Sequence, residues 1–510
     1  MKLRLLLGDQ LNIHHPWFEA VENNVVYVLM EMRQETDYAP HHIQKVVAFF
    51  GAMRCFANKL KTLGHQVIYL ELNDENNTQS LTENLHLLIK QTEATSFDYQ
   101  LPDEYRLDQQ LSNFCKEISL PTNAADTYHF MTKREDLTEF FEGKKQLILE
   151  FFYRNMRKQF DLLMHQGQPE GGQWNYDKNN RKKWKGTPEI PPAYIPKTEA
   201  LEALQGMIEQ AGVKTIGTLD VHNFLFPFSR EEALEQLAYF CEHLLVHFGD
   251  YQDALHTDEI NLFHSRISFA LNVKLISPLE VVQTVIAYYR AHEEEIELAQ
   301  VEGFVRQIIG WREYMRGIYW KEMPHYAEKN ALENHNPLPN FYWTGKTKMN
   351  CLHQAISNSL DNAYAHHIQR LMITGNFALL AQVHPDAVDQ WYLGIYADAI
   401  EWVQITNTRG MSQWADGGIV ATKPYVSAAA YIHKMSNYCD SCGYDIKKRL
   451  GDDACPFNSL YWNFLDDKKQ FFAKNNRMAM MLRLLEKIPP QELAEIKARA
   501  GKILTQPDDF

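Results

Sequence analysis

The apolar period changes once along this chain, and that change constrains its fold more than any other feature. Through residue 135, short apolar runs alternate with helical stretches. LRLLLG (Leu3–Gly8), VVYVLME (Val25–Glu31) and HQVIYLEL read as buried parallel strands, and His41 to Leu63 has a helical period. From Thr198 onward nearly every segment keeps the 3.6-residue period and strand signals are few. A helix-like stretch from Leu147 to Met164 precedes a polar, Gly- and Pro-rich segment, Gly167 to Pro196, which reads as a long connection. The expected architecture is an α/β unit over 1–135 with a parallel, Rossmann-like sheet, a linker over 136–197 and an all-helical unit over 198–510. At 510 residues and 59.5 kDa the chain exceeds one ordinary core, which agrees with several units.

In an open parallel sheet, ligands sit beyond the carboxyl ends of the strands. That rule places Asp9 and Gln10 after the first strand, and Glu31, Glu35 and Tyr38 after the second, near one crevice. The plainer reading of these residues is helix caps and loop polar groups. No G-x-G-x-x-G follows the first strand, so dinucleotide binding of the usual kind has no support.

No apolar run is long enough to cross a bilayer, and MKLRLLLGDQLN meets an Asp without a cleavage region, so a cytoplasmic location is expected. The formal charge of −14 argues mildly against a nucleic-acid partner. A local basic face can still serve a DNA backbone, as in KNNRKKWK, where Lys178, Arg181, Lys182, Lys183 and Lys185 surround Trp184. A solvated loop explains that segment equally well.

Seven cysteines do not make a disulfide framework, and Cys55, Cys115 and Cys241 read as isolated structural thiols. YCDSCGYDIKKRLGDDACPF is different: Cys439 and Cys442 form a C-x2-C pair, and Cys455 precedes a Pro. This is a ligand pattern for an iron–sulfur cluster or for zinc. Cys351 is the other candidate in the helical unit. The lack of a second close pair favours a cluster, with zinc left open. HHIQRLMITGNFALL opens with His366 and His367, usually capping or core residues. The ionisable and aromatic residues that follow, from Trp391 to Trp414, make proton transfer a second reading.

Three segments carry a resemblance. VEGFVRQIIGWREYMRGIYW (Val301–Trp320), NAYAHHIQRLMITGNFALL (Asn362–Leu380) and WYLGIYADAIEW (Trp391–Trp402) resemble the flavin-binding helices of the photolyase and cryptochrome superfamily. FHSRISFAL (Phe263–Leu271) is similar to its phosphate-holding turn. With GDQL near the start and the four cysteines, they resemble the bacterial iron–sulfur branch, whose members repair (6-4) photoproducts. The resemblance is colinear over nearly the whole chain.

What it implies is an antenna domain, a linker and a helical domain that holds FAD and a [4Fe-4S] cluster ligated by Cys351, Cys439, Cys442 and Cys455. The family's FAD positions fall on His264, Ser265, Arg266, Ile267, Ser268, Gln307, Trp311, Arg312, Tyr314, Asn376 and Asp398. Its antenna, 6,7-dimethyl-8-ribityllumazine, falls on Asp9, Met30, Glu35 and Tyr38, although other members differ where Met30 stands. The electron relay falls on Trp391, Tyr392, Trp343 and Tyr431, the repair histidine on His367 beside His366, and Tyr425 near the lesion pocket. A divalent cation (Mg2+) is expected near Asp177. DAIEWVQITN departs from the pattern in which an Asn faces flavin N5, and Glu401 is the candidate there. The resemblance implies a monomer acting on UV-damaged DNA. A cryptochrome-like photoreceptor without repair is the alternative, and a cyclobutane-dimer enzyme is disfavoured by the histidine pair.

Overall fold

Five short strands form one parallel sheet in the order β3-β2-β1-β4-β5, where β1 is Lys2–Leu5, β2 Val25–Met30, β3 Gln66–Leu70, β4 Ser96–Gln100 and β5 Thr122–Ala125. The computed structural model describes residues 1–178 and 180–510. The chain leaves β1 toward β2 and β3, then returns to place β4 on the other side. The sheet therefore has its topological switch point between β1 and β4, where a crevice opens beyond the strand ends. Every residue of β2 is buried, as expected of a strand covered on both faces.

β1 ends at Leu5, earlier than its apolar run suggests. Leu6 still donates to the Val28 carbonyl at 2.9 Å, but Gln10 then closes a turn. Its amide donates to the Leu7 carbonyl (3.0 Å), and its side-chain oxygen accepts from the Leu7 amide (2.9 Å). The helix expected over Leu147–Met164 spans Leu149–Gln159. The buried Arg157 stops it, because its guanidinium collects the carbonyls of Leu162, Leu163 and Trp174. Met164–His165 then pairs antiparallel with Gln168–Pro169.

Residues 181–200 hold neither helix nor strand and run against the helical unit. The Lys182 amide donates to the Asp250 carbonyl (2.9 Å), and the Trp184 indole to Pro188 (2.8 Å). Beyond them the chain is helical apart from turns and isolated bridges. Two of the flavin-type segments contain π-helical turns, over Arg306–Arg312 and Gln369–Gly375, and another such turn, Thr406–Ser412, follows Trp391–Trp402. Such widened turns recur at functional sites. No helix among the described residues is long and apolar enough to cross a membrane.

The sheet and the helices meet along a polar seam. Helix Ile43–Thr62 presents Lys45 to the carbonyls of Leu393 and Ala399, both at 2.7 Å, and the His42 amide donates to Gly394 (2.9 Å). This seam sets the strand-end crevice against the turn that carries Asp398.

Candidate functional site

A cavity of about 130 Å³ lies at the switch point. Asp9, Met30, Glu35 and Tyr38 all line it, with Ala399 and Ile400 closing it from the helical side. Its walls are mainly apolar, and its polar groups converge. Lys274 reaches the Asp9 carboxylate at 3.1 Å and that of Asp103 at 2.8 Å. Burial pushes Asp9 up. The same burial acts on Asp103, but Lys274 and Arg316 outweigh it and hold that carboxyl low. Arg106 grips Glu35 through two bonds of 3.1 and 2.7 Å and lies 4.6 Å over the Tyr38 ring. Glu104 is pushed up to about 8 by burial, with Glu401 and Glu35 adding to the rise against Arg106.

His41 was not anticipated. It lines the cavity, is 3% exposed, stands edge-on to Tyr38 at 5.0 Å and has no hydrogen-bond partner for either ring nitrogen. Burial keeps it neutral. An apolar slot ringed by unsatisfied or charged donors and acceptors fits a polar heteroaromatic ring. Glu31, expected in this crevice, is instead consumed by structure: Arg54, the Tyr69 hydroxyl (2.7 Å) and the Leu72 amide (2.9 Å) take its carboxylate.

Across the seam, the expected flavin residues separate into three groups. One is built around Asp398, which accepts from Ser268 Oγ (2.7 Å) and from both terminal nitrogens of Arg370 (2.9 and 3.1 Å). Sequence reasoning missed Arg370, whose guanidinium also lies 3.8 Å over Tyr396. His264 stacks on His366, with ring centroids 4.7 Å apart. His264 Nε2, His366 Nδ1 and Arg266 Nη1 are buried without partners. Arg266 sits at φ +55, and Ile267 caps the short helix Ser268–Asn272. Ser265 lines a small cavity with His264 and Arg266. A left-handed arginine and several orphaned donors fit an anionic ligand. Asn376 exchanges bonds with the Ser427 backbone (3.0 and 3.1 Å), which ties this group to the Tyr425 loop.

Gln307, Trp311 and Tyr314 form a second group on the π-turned segment and the helix that follows. Gln307 donates to Gly303 (3.0 Å), Trp311 packs edge-on to Tyr314, and the Tyr314 hydroxyl donates to Leu147. Arg312 and Glu401 form the third, at the seam. Arg312 lies over Phe130 (4.7 Å) and Trp402 (5.0 Å), and burial lowers it to about 10. The Glu401 carboxylate accepts from the Tyr319 hydroxyl, which itself accepts from the Tyr105 amide of the α/β unit (2.6 Å).

His366 is buried, whereas His367 is exposed. Partial desolvation and the Arg370 charge both push His367 below the ordinary imidazole value, so it is neutral at pH 7.

Trp391 is fully buried and touches Tyr342 and Tyr392, each at 5.1 Å between centroids, and Tyr396 at 5.9 Å. Trp343, next to Tyr342 on helix Phe341–Thr344, is exposed. Ring contacts thus run from Tyr342, the chain neighbour of Trp343, through Trp391 to Tyr396 and the Arg370–Asp398 pair, with Tyr342 and Tyr396 as links not anticipated. Tyr431 stands elsewhere, among Asp253, Arg181 and Tyr425, which shape its raised pKa after burial.

Cys351, Cys439, Cys442 and Cys455 line one enclosed pocket with Tyr438 and Phe457. Burial, then the neighbouring sulfurs, raises Cys351; burial takes Cys439 and Cys455 to about 12. Thiolates here need compensating positive charge, which bound metal supplies. No three His, Cys, Asp or Glu side chains among the described residues are grouped as ligands of one ion. A four-thiol pocket fits a multinuclear cluster, whose ligands bind different irons.

Trp184 is buried against His256, and Lys182 pairs with Asp250 at 2.8 Å. Asp177 is engaged by Arg181 on one oxygen and by Arg306 (3.3 Å) on the other. Two guanidinium groups in these positions do not fit a divalent cation on Asp177.

The family of deoxyribodipyrimidine photo-lyase-related proteins matches residues 4–224. The chain is 41% identical over 510 residues to a (6-4) photolyase of Agrobacterium fabrum, covering 99% of this chain and 100% of that one. Among solved structures it resembles a bacterial class III photolyase from Agrobacterium tumefaciens, with a TM-score of 0.56 at 13% identity, over 97% of this chain and 91% of that one. A cryptochrome of Synechocystis gives a TM-score of 0.56 at 11% identity with the same coverage. These two likenesses concern the fold.

Proposed function

The chain belongs to the photolyase family, on the branch of the (6-4) photolyase of Agrobacterium fabrum, and from that premise we propose that it repairs (6-4) pyrimidine–pyrimidone photoproducts in UV-damaged DNA under light. The observation that carries this reading is end-to-end similarity to a (6-4) photolyase, with the histidine pair standing against the Asp398 group. Residues 1–135 carry the antenna site, 136–197 the connection, and 198–510 the FAD, cluster and DNA sites.

Reduced FAD, when bound, supplies the electron. The Arg266 turn and Ser268 would hold its pyrophosphate. Asp398, Asn376, Gln307, Trp311 and Tyr314 would surround the rest, and Arg370 fixes Asp398. Trp343, Tyr342, Trp391, Tyr392 and Tyr396 provide a path for reducing equivalents. The strand-end cavity would take 6,7-dimethyl-8-ribityllumazine against Asp9, Met30, Glu35 and Tyr38, and the four thiols a [4Fe-4S] cluster.

A flipped-out lesion is already poorly stacked, so extruding it costs less than extruding an intact pair. Restoring a (6-4) lesion moves a hydroxyl or amino group between bases, and that group needs a proton as it leaves. His367 is the group placed to give it from a ring nitrogen. It must first be protonated, and an anionic neighbour such as a lesion phosphate favours that form.

Purified protein illuminated with a duplex holding one defined (6-4) lesion tests the reading. Restored pyrimidines, with FAD and about four irons per chain, are the expected result. Photoreduction without repair, and no preference for lesion DNA, would instead make the chain a photoreceptor.

A further inference from the structure

The strand-end cavity and the Asp398 group share a wall. Ala399 and Ile400 line the cavity, and Asp398, the residue before them, holds Ser268 and Arg370 on the other side of the same turn. Lys45, from the α/β unit, fixes that turn. It is buried, lines the cavity, and donates to the Ala399 carbonyl at 2.7 Å. It also donates at 2.7 Å to the Leu393 carbonyl in the last turn of helix Pro385–Ile395, which carries Trp391. Burial lowers Lys45 to about 7, while Asp398 from the flavin side and Glu104 from the cavity side oppose that fall. One cation therefore feels both sites.

The helix Ser268–Asn272 makes a second connection. Phe269 packs edge-on to Phe49 of the cavity wall, with centroids 5.5 Å apart, and Asn272 Nδ2 donates to the Asp398 carbonyl at 2.7 Å. Two residues past this helix, Lys274 reaches Asp9 and Asp103 with a side chain that is 1% exposed. The backbone that carries Ser268 is thus tied to the carboxylates of the cavity. On the cavity side, both ring nitrogens of His41 lack hydrogen-bond partners among the described residues, so a polar ring that satisfies them gains more than a water-exposed contact would give.

A ligand that restrains one side of a shared turn lowers the ordering cost of a second ligand that needs the same turn fixed. We propose that the two sites are coupled in binding: a polar heteroaromatic ring in the strand-end cavity tightens the hold on FAD through the 398–400 turn, with Lys45 as its positioning residue. By linkage the effect is reciprocal, so FAD strengthens retention of the ring. This rests on the antenna and flavin reading above and concerns affinity, not the passage of excitation.

The test uses the full chain carrying FAD and dialysed free of antenna, with 6,7-dimethyl-8-ribityllumazine added or omitted. FAD recovered through a filtration membrane over time gives its release rate. The temperature is kept well below the thermal midpoint, so that global unfolding does not contribute. In the parent, saturating lumazine should slow FAD release roughly tenfold, and backbone amides of residues 398–402 should exchange with deuterium more slowly. Lys45→Met should still bind lumazine and lose most of that slowing. If Lys45→Met does not fold, the parent's release rate and amide exchange decide. FAD release unchanged by lumazine in a parent that binds it overturns the coupling and leaves the repair reading standing. Slowing of equal size in Lys45→Met overturns the proposed route. A parent that takes up no lumazine overturns the antenna assignment and the coupling together.

Discussion

The strand-end cavity and the helical site hold their polar groups by different means. In the cavity, topology does the work: β1, β2 and β4 end around one crevice, and Asp9, Glu35 and Tyr38 arrive there because strand ends do. Among the helices no such rule operates, and position comes from side chains locking one another, as Ser268, Asp398 and Arg370 do. The cavity keeps a carboxylic acid, Glu104, protonated near neutral pH, whereas the helical site keeps His264 unprotonated. Burial drives both, and acts oppositely on acids and bases.

The largest expected effect is catalytic and falls on the helical side alone. His367→Ala should lower (6-4) repair per folded molecule by ~10²–10⁴-fold, the usual weight of a positioned general acid, while FAD binding and photoreduction persist. Repair at the parent's rate in folded His367→Ala would remove the histidine from the chemistry.

Next comes stability. Asp398→Asn leaves the Arg370 guanidinium without its charge partner and should destabilise by about 3 kcal/mol, seen as a lower thermal midpoint and weaker flavin retention. Glu35→Gln breaks a pair whose side chains are 35% and 30% exposed, and should change stability by no more than about 1 kcal/mol. Equal losses at the two sites would break the contrast.

A third test concerns the aromatic path. Trp391→Phe should slow photoreduction in blue light markedly, and Tyr431→Phe far less, because Tyr431 lies with Tyr425 and Asp253. If Tyr431→Phe is the slower variant, the path runs on the Tyr425 side.

The smallest effect is a pair of opposite pH slopes. Glu104 has a folded pKa of about 8 against an ordinary 4.5, so the unfolded chain loses that proton first. Stability should fall as pH rises from 4.5 to 8, and Glu104→Gln should flatten that slope. His264 sits at about 4 against 6.5, so the unfolded chain gains a proton first as pH falls. Stability should fall from pH 6.5 down to 4, and His264→Gln should lessen that loss. Thermal midpoints of the parent and these two variants between pH 4 and 9 check both signs.

Much of the cavity was legible because strand ends are adjacent for topological reasons, so locating the strands located Asp9, Glu35 and Tyr38. His41 was not, although it lies only three residues beyond Tyr38: it read as the start of a helical stretch, and only the fold shows that it lines the cavity with both ring nitrogens unpartnered. Trp184 shows the converse. Its basic neighbours left a DNA-facing basic patch and a solvated loop equally open, and packing against His256 put the indole inside. The cysteine spacing was visible, but the closeness of Cys351 to the other three was not, because 88 residues separate it from Cys439 (439 − 351).

By itself, the sequence determined the change from α/β alternation to helices, the strands that make the crevice, and the side-chain types able to hold charge, metal or protons. Those are local properties, set by period and composition over a few turns. Only the tertiary structure decided that Arg370 would clamp Asp398, that Tyr342 and Tyr396 would extend the aromatic path, and that Glu401 would turn toward Tyr319. Each is a contact between segments whose relative position depends on how whole helices pack, and no local pattern encodes that.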